Sequence, residues 1–250
     1  DALRLTAIGL HHEQQHQELL LTDIKHLLSI NPLSPVYRRA WPLVSVSPVP
    51  AQWIEREGGL VEVGHVGESF AFDNETPRHR QWLAPYALMN RPVTHGEWLA
   101  FVQDGGYTDP RWWLSAGWDW VRSQHIQAPL YWTLPTEAGE PVRVFTLHGA
   151  VPLDPHTPVT HISYFEADAF ARWASATHSD WAGARLPLEA EWEASAAPMP
   201  LQGNFQESGA LHPMPCRAGG EGLLQMHGDV WEWTASSYSA YPGFAAAEGA

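Results

Sequence analysis

Gly9-Leu10-His11-His12-Glu13-Gln14-Gln15-His16-Gln17-Glu18 lies inside a run, Ala2 to Ile30, that holds no proline and no second glycine. Apolar residues recur there at helical spacing, and Ile8, His12, Gln15, His16, Leu19, Asp23, Leu27 and Ile30 share one stripe. The leucines predict that this face points inward, which puts His12 and His16 where a bundle ordinarily carries Leu or Ile. Residues i and i+4 lie about 6 Å apart along a helix axis, so two imidazoles can converge on one ion. Spacing alone reads equally well as two-thirds of a metal site and as two satisfied histidines in a His-rich chain. His11, about 100° round the helix from His12, cannot share the ion.

Working outward, Asn31-Pro32 ends the helix, because proline cannot continue it and biases the preceding residue away from helical angles. Residues 31–57 read as a connector punctuated by Pro32, Pro35, Pro42, Pro48 and Pro50, with Tyr37 and Trp41 as its anchors. A second unit, 58–250, then begins. Leu60-Val61-Glu62-Val63-Gly64 and Gln81 to Met89 alternate with period two and predict short strands. Thr94-His95-Gly96-Glu97 is a capping box that opens a helix through Val102, stopped by Gly105-Gly106. Ser163 and Glu166 repeat the device on a helix that carries Phe170 and Trp173 inward. Pro187 reads as a first-turn residue of a further helix, with Glu189, Glu191 and Glu193 near its positive end. The tryptophan-rich stretch around Trp112, Trp113, Trp118 and Trp120 reads as irregular. The fold class is therefore α+β, with small helices and much structured coil.

Composition narrows the function classes. A net charge of -14, with one lysine and scattered arginines, excludes a nucleic-acid groove. No apolar run reaches the roughly 18 residues of a membrane span, and no signal peptide is visible. The single cysteine, Cys216, excludes an internal disulfide and fits a reducing cytoplasm. Fourteen tryptophans, 21 prolines and 20 glycines predict loops pinned by aromatic rings, with Trp112, Trp113, Trp231 and Trp233 in structural roles. Asp1 falls directly in the helix and Ala250 in a bland tail, which reads as a fragment of a longer protein.

Six motifs in order resemble the formylglycine-generating-enzyme-type domain, which is similar to C-type-lectin folds. They are Phe72 to His79, Pro92 to Glu97, Gly105-Gly106-Tyr107, Pro158 to Ser163, Arg185 to Glu193, and Gly228 to Thr234. Leu188 departs from the threonine usual there, which removes a helix cap and touches no chemistry. The helix with His-Glu-Gln-Gln-His-Gln-Glu resembles the last helix of a DinB-like four-helix bundle (residues 1–30). Together the two parts resemble the ergothioneine-type sulfoxide synthases (hercynine oxygenases) and their ovothiol relatives.

That resemblance implies Fe(II) held by three histidines, two of them His12 and His16 and the third outside this chain. It implies that Gln15 hydrogen-bonds the substrate imidazole and that a tyrosine of the loop after Trp231-Glu232-Trp233, Tyr238 first and Tyr241 second, supplies a proton or a hydrogen atom. The substrates implied are small molecules: O2, a thiol (γ-glutamylcysteine or cysteine), and a histidine betaine such as hercynine, or histidine itself in an ovothiol-type enzyme. Three other readings compete. His12-Glu13-x-x-His16 matches the zinc-peptidase motif, but Gln14, Gln15, Gln17 and Glu18 are too polar for a peptidase helix. A DinB-type thiol transferase would leave the second unit unexplained. A non-catalytic lectin-like module would make the histidines structural. One cysteine cannot supply the copper-binding pair of a true formylglycine-generating enzyme.

Overall fold

The computed structural model describes residues 2–39, 46–137, 139–217 and 219–246. Its elements run α1 (Ala2–Ser29), β1 (Trp53–Arg56), β2 (Gly59–Val63), β3 (His79–Leu83), β4 (Tyr86–Met89), α2 (His95–Gln103), α3 (Ser115–Gln124), β5 (Trp132–Thr133), β6 (Arg143–Thr146), β7 (Gly149–Pro152), α4 (Tyr164–Thr177) and α5 (Glu189–Ala196). They divide into one unit of Asp1–Leu43 with Tyr131–Leu153 and another of Val44–Leu130 with Asp154–Ala250. No helix among the described residues is long and apolar enough to cross a membrane.

In the first unit, α1 stops at Ser29, one residue before the predicted end, and Asn31 Oδ1 takes the Leu33 N–H at 2.9 Å. Antiparallel strands β5, β6 and β7 form a small sheet in which Trp132 pairs with Val144 and Thr146 with Gly149. The backbone N–H groups of Tyr37 and Arg38 both donate to Leu147 O at 3.0 Å. Tyr37 thus anchors through its backbone, and its ring is exposed; Trp41 lies outside the described residues. A Cβ on Gly149 would sit 2.6 Å from Val36 Cγ1, so glycine lets the connector close on the sheet. At the other end of the joint, Lys25 Nζ lies 4.8 Å from the Tyr131 ring centroid and His26 Nδ1 3.2 Å from its hydroxyl. Burial lowers the Lys25 ammonium to a pKa of about 8.

The inward face expected of α1 is not found. Lys25 is the helix's buried residue, whereas Leu19, Leu27 and Ile30 are exposed, Leu27 by 64%. The periodicity was real, but the sheet meets only the C-terminal part of so long a helix.

The second unit is built on local signals. Strand β1 pairs antiparallel with β4, and β2 with β3, in registers Trp53↔Met89 and Val63↔His79. The predicted strand from Gln81 to Met89 is split at Ala84-Pro85, where proline offers no N–H to a ladder. Thr94 and Ser163 cap α2 and α4 as expected, with Glu97 and Glu166 closing each box. Leu188 caps α5 with half a box: it has no side-chain acceptor, while Glu191 Oε2 takes its N–H at 2.8 Å. Pro187 therefore precedes the cap and is not in the first turn.

The stretch expected to be irregular contains α3. Gly117, a poor helix former, conceals it in the sequence, yet a Cβ there would lie 2.7 Å from Phe165 Cβ. Close approach to α4 is what glycine provides.

An aromatic core joins α2 to α4. Trp98 stacks on Phe170 with centroids 4.8 Å apart and planes at 8°, and Phe101 is 0% exposed among Trp98, Tyr107, Phe170 and Trp173. Buried indoles need acceptors, and they have them: Trp113 Nε1 donates to Gly106 O at 2.8 Å and Trp173 Nε1 to Asp104 Oδ2 at 2.7 Å. Tyr107 receives the Trp98 N–H and donates to Glu166 Oε1 at 2.6 Å. Trp113 thus has its expected structural role; Trp231 lies outside this core, 89% exposed.

Candidate active site

Helix α1 holds His12 and His16 one turn apart with their Nε2 atoms 3.3 Å apart and ring centroids at 4.5 Å. Two donors at that spacing, each about 2.1 Å from a shared ion, subtend about 105° at it, which suits octahedral or tetrahedral coordination. Imidazole nitrogen is also the donor type that iron takes. The pair therefore fits two positions of a metal centre. Both rings are exposed, as is Gln15. Among the described residues no group of three or more His, Cys, Asp or Glu side chains is placed to hold a metal.

The tyrosine-bearing loop belongs to the second unit and is tied down on both sides of Tyr238. Trp233 Nε1 donates to Ile162 O at 3.0 Å, Ala235 N to Pro187 O at 2.7 Å, and Glu189 N to Ser236 Oγ at 2.9 Å. Tyr241 packs on the cluster of Val63, Leu83 and Ala190. Between these ties the Tyr238 ring stands 87% exposed, its hydroxyl oxygen accepting from Asn74 Nδ2 at 3.1 Å.

The two tyrosines differ chemically. The Tyr241 hydroxyl donates to Glu189 Oε1 at 3.4 Å and its ring lies 4.5 Å from that of His79. Burial and then the carboxylates of Glu189 and Glu193 push its ionisation far above the usual phenol range. Tyr241 is thus a firmly protonated phenol turned toward carboxylates of its own unit, whereas the exposed Tyr238 meets only the Asn74 amide among the hydrogen bonds described.

Asp229 closes the loop's base. At a positive φ of 56°, it accepts from Asn204 Nδ2 and Met214 N at 2.8 Å and from Gln225 Nε2 at 2.9 Å. Asp229 thereby ties Asn204, Met214 and Gln225 to one carboxylate.

Glu232, the middle residue of Trp231-Glu232-Trp233, accepts from Trp192 Nε1. Burial raises its carboxyl from about 4.5 to about 7, against the lowering effect of that bond. A raised carboxyl favours folding while protonated, so its contribution is complete below about pH 4.5 and is lost as pH rises through about 7. We expect Glu232→Gln, which keeps an acceptor for Trp192, to stabilise the protein at pH 8 by about 1–3 kcal/mol and to change little at pH 4.5. Chemical denaturation at the two pH values checks this; equal effects at both would assign the gain elsewhere.

Sequence reasoning missed Asn74, Glu189 and Glu193, all inside quoted motifs. Their significance is where they meet Tyr238 and Tyr241, roughly fifty or more residues away, and no local pattern records that.

Comparison with known proteins gives the arrangement a family. Residues 46–215 match the sulfatase-modifying factor enzyme 1-like domain. The chain is 33% identical to the hercynine oxygenase of Mycolicibacterium smegmatis, covering 95% of this chain and 57% of that protein. It is 34% identical to the hercynine oxygenase of Mycolicibacterium thermoresistibile, covering 93% and 54% respectively. The formylglycine-generating enzyme of Streptomyces coelicolor is 31% identical, over 73% of this chain and 68% of that enzyme. The chain spans little more than half the length of the hercynine oxygenases it matches, and a match over 95% of this chain extends into α1. The chain belongs to the sulfatase-modifying factor enzyme 1-like family, whose domain it shares with formylglycine-generating enzymes and with the hercynine oxygenases it resembles along nearly its whole length.

Proposed function

We propose that this chain is part of an iron-dependent oxygenase that joins a cysteine-type thiol to the imidazole ring of hercynine, with α1 as the last helix of a DinB-like bundle. The observation that carries the reading is the facing pair of Nε2 atoms, 3.3 Å apart, on a helix into which the match to a hercynine oxygenase extends. The reaction balances as thiol plus imidazole C–H plus O2 giving a C–S-linked sulfoxide and water. The S–H and C–H bonds break, the C–S and S–O bonds form, and O2 is the four-electron oxidant.

His12 and His16 would hold Fe(II) through Nε2, with a third histidine from outside this chain. Bound there, iron supplies the activation of O2. Gln15, one residue before His16, offers an amide that donates to, or accepts from, the substrate imidazole. Tyr238 delivers a proton from its hydroxyl; an accessible phenol is a competent acid when positioned. Tyr241, bound to carboxylates, orients the loop. The thiol donor is γ-glutamylcysteine or cysteine.

The test is O2 uptake by the full-length protein reconstituted with Fe(II). Consumption is expected only when thiol and hercynine are both present, with a sulfoxide product identified by mass spectrometry. Uptake unchanged by omitting either substrate, or peptide hydrolysis with zinc and no sulfoxide, would overturn the reading.

A further inference from the structure

We infer that Asn74 is the positioning residue of Tyr238: its amide N–H holds the phenol oxygen and leaves the phenol's own proton directed away, ready for transfer. The inference rests on the oxygenase reading, in which Tyr238 is the proton donor.

The argument starts from exposure. An 87% exposed tyrosine has little packing to choose its rotamer, so anchoring the loop backbone at Trp233, Ala235, Ser236 and Tyr241 places its Cα without aiming its hydroxyl. Proton transfer depends on aim, because a donor works only within hydrogen-bond reach of its target.

Asn74 is itself well fixed. It occupies the 3-10 turn Asp73–Glu75, where Glu75 Oε2 takes the Phe72 N–H at 2.7 Å, Thr76 Oγ1 donates to Asp73 O at 2.8 Å, and His65 N donates to Glu75 O at 2.8 Å. A short-stemmed amide on a tied turn therefore meets a ring on a tied loop, 3.1 Å apart and 164 residues away in sequence.

Polarity gives the contact its meaning. An amide nitrogen can only donate, so the phenol oxygen is the acceptor and its proton stays free. An oxygen in the same place would reverse the bond and consume that proton. Asn74→Asp installs such an oxygen without changing the side chain's shape, whereas Asn74→Ala removes the contact.

These variants, made in the full-length protein with Fe(II), thiol and hercynine, separate aim from packing. Loss of one hydrogen bond in Asn74→Ala is expected to lower kcat about 5-fold. Misdirection of the proton in Asn74→Asp is expected to lower it about 100-fold, with KM for hercynine unchanged in both. A packing role would rank them the other way, since alanine removes more atoms. Adding Asn74→Asp to Tyr238→Phe should cost nothing further.

A readout free of turnover is the 19F resonance of 3-fluorotyrosine placed at position 238, expected to move in Asn74→Ala. An unmoved resonance, or an Asn74→Asp enzyme with wild-type kcat, overturns the inference. A wild-type protein that couples no thiol to hercynine overturns the oxygenase reading instead, and the resonance then decides the contact by itself.

Discussion

Replacing His12 and His16 together by alanine is expected to abolish iron binding and O2-dependent coupling while leaving the fold intact. Both rings are exposed, so their loss opens no cavity. Alanine is a better helix former than histidine, by some tenths of a kcal/mol per site, so α1 should be no less helical. The effect on the metal is large because each imidazole is proposed as a ligand. Even partners that only orient a ligand are worth about 10- to 100-fold in affinity, so each single substitution should cost at least about 100-fold. Iron content after reconstitution of the full-length protein, read beside its circular dichroism, measures both sides. Unchanged iron in the double variant would exclude the pair from the metal site, whatever the activity.

Phe101→Ala is expected to destabilise the second unit by about 3–5 kcal/mol, the range for deleting a fully buried phenylalanine. The site cannot collapse easily. Four rings surround Phe101 with centroids 5.3–5.8 Å away, and those of Trp98, Tyr107, Phe170 and Trp173 are each held by partners of their own. Gly106 shows how close the packing is: a Cβ there would stand 2.2 Å from the Phe101 ring. In a chain of this size the loss corresponds to a Tm lower by about 10 °C. Differential scanning calorimetry checks it, and a shift of a degree or two would mean that the aromatic core is not what carries this unit.

Local chemistry is legible in the sequence. The Thr94–Glu97 and Ser163–Glu166 boxes involve residues three apart, and the convergence of His12 and His16 follows from a helical repeat over four. The half-cap at Leu188 follows from one missing oxygen. The errors at Pro85 and Pro187 were local; elsewhere a non-local contact had intervened. Helix α3 is hidden by Gly117, whose reason is the Phe165 side chain on another helix. The aromatic residues could be counted, but not sorted into the 7% exposed Trp113 and the 89% exposed Trp231.

By itself, then, the sequence determined the helix caps, the strand alternation, the family motifs and the facing imidazoles. Each is set by backbone geometry within a turn or by a contiguous string of residues. Tertiary structure decided that Tyr131–Leu153 groups with α1, that most of the apolar stripe on α1 is exposed, and that Tyr241 faces carboxylates while Tyr238 meets Asn74. Those outcomes depend on which distant residues share space, and hydrogen bonding and burial act through distance in space, not along the chain.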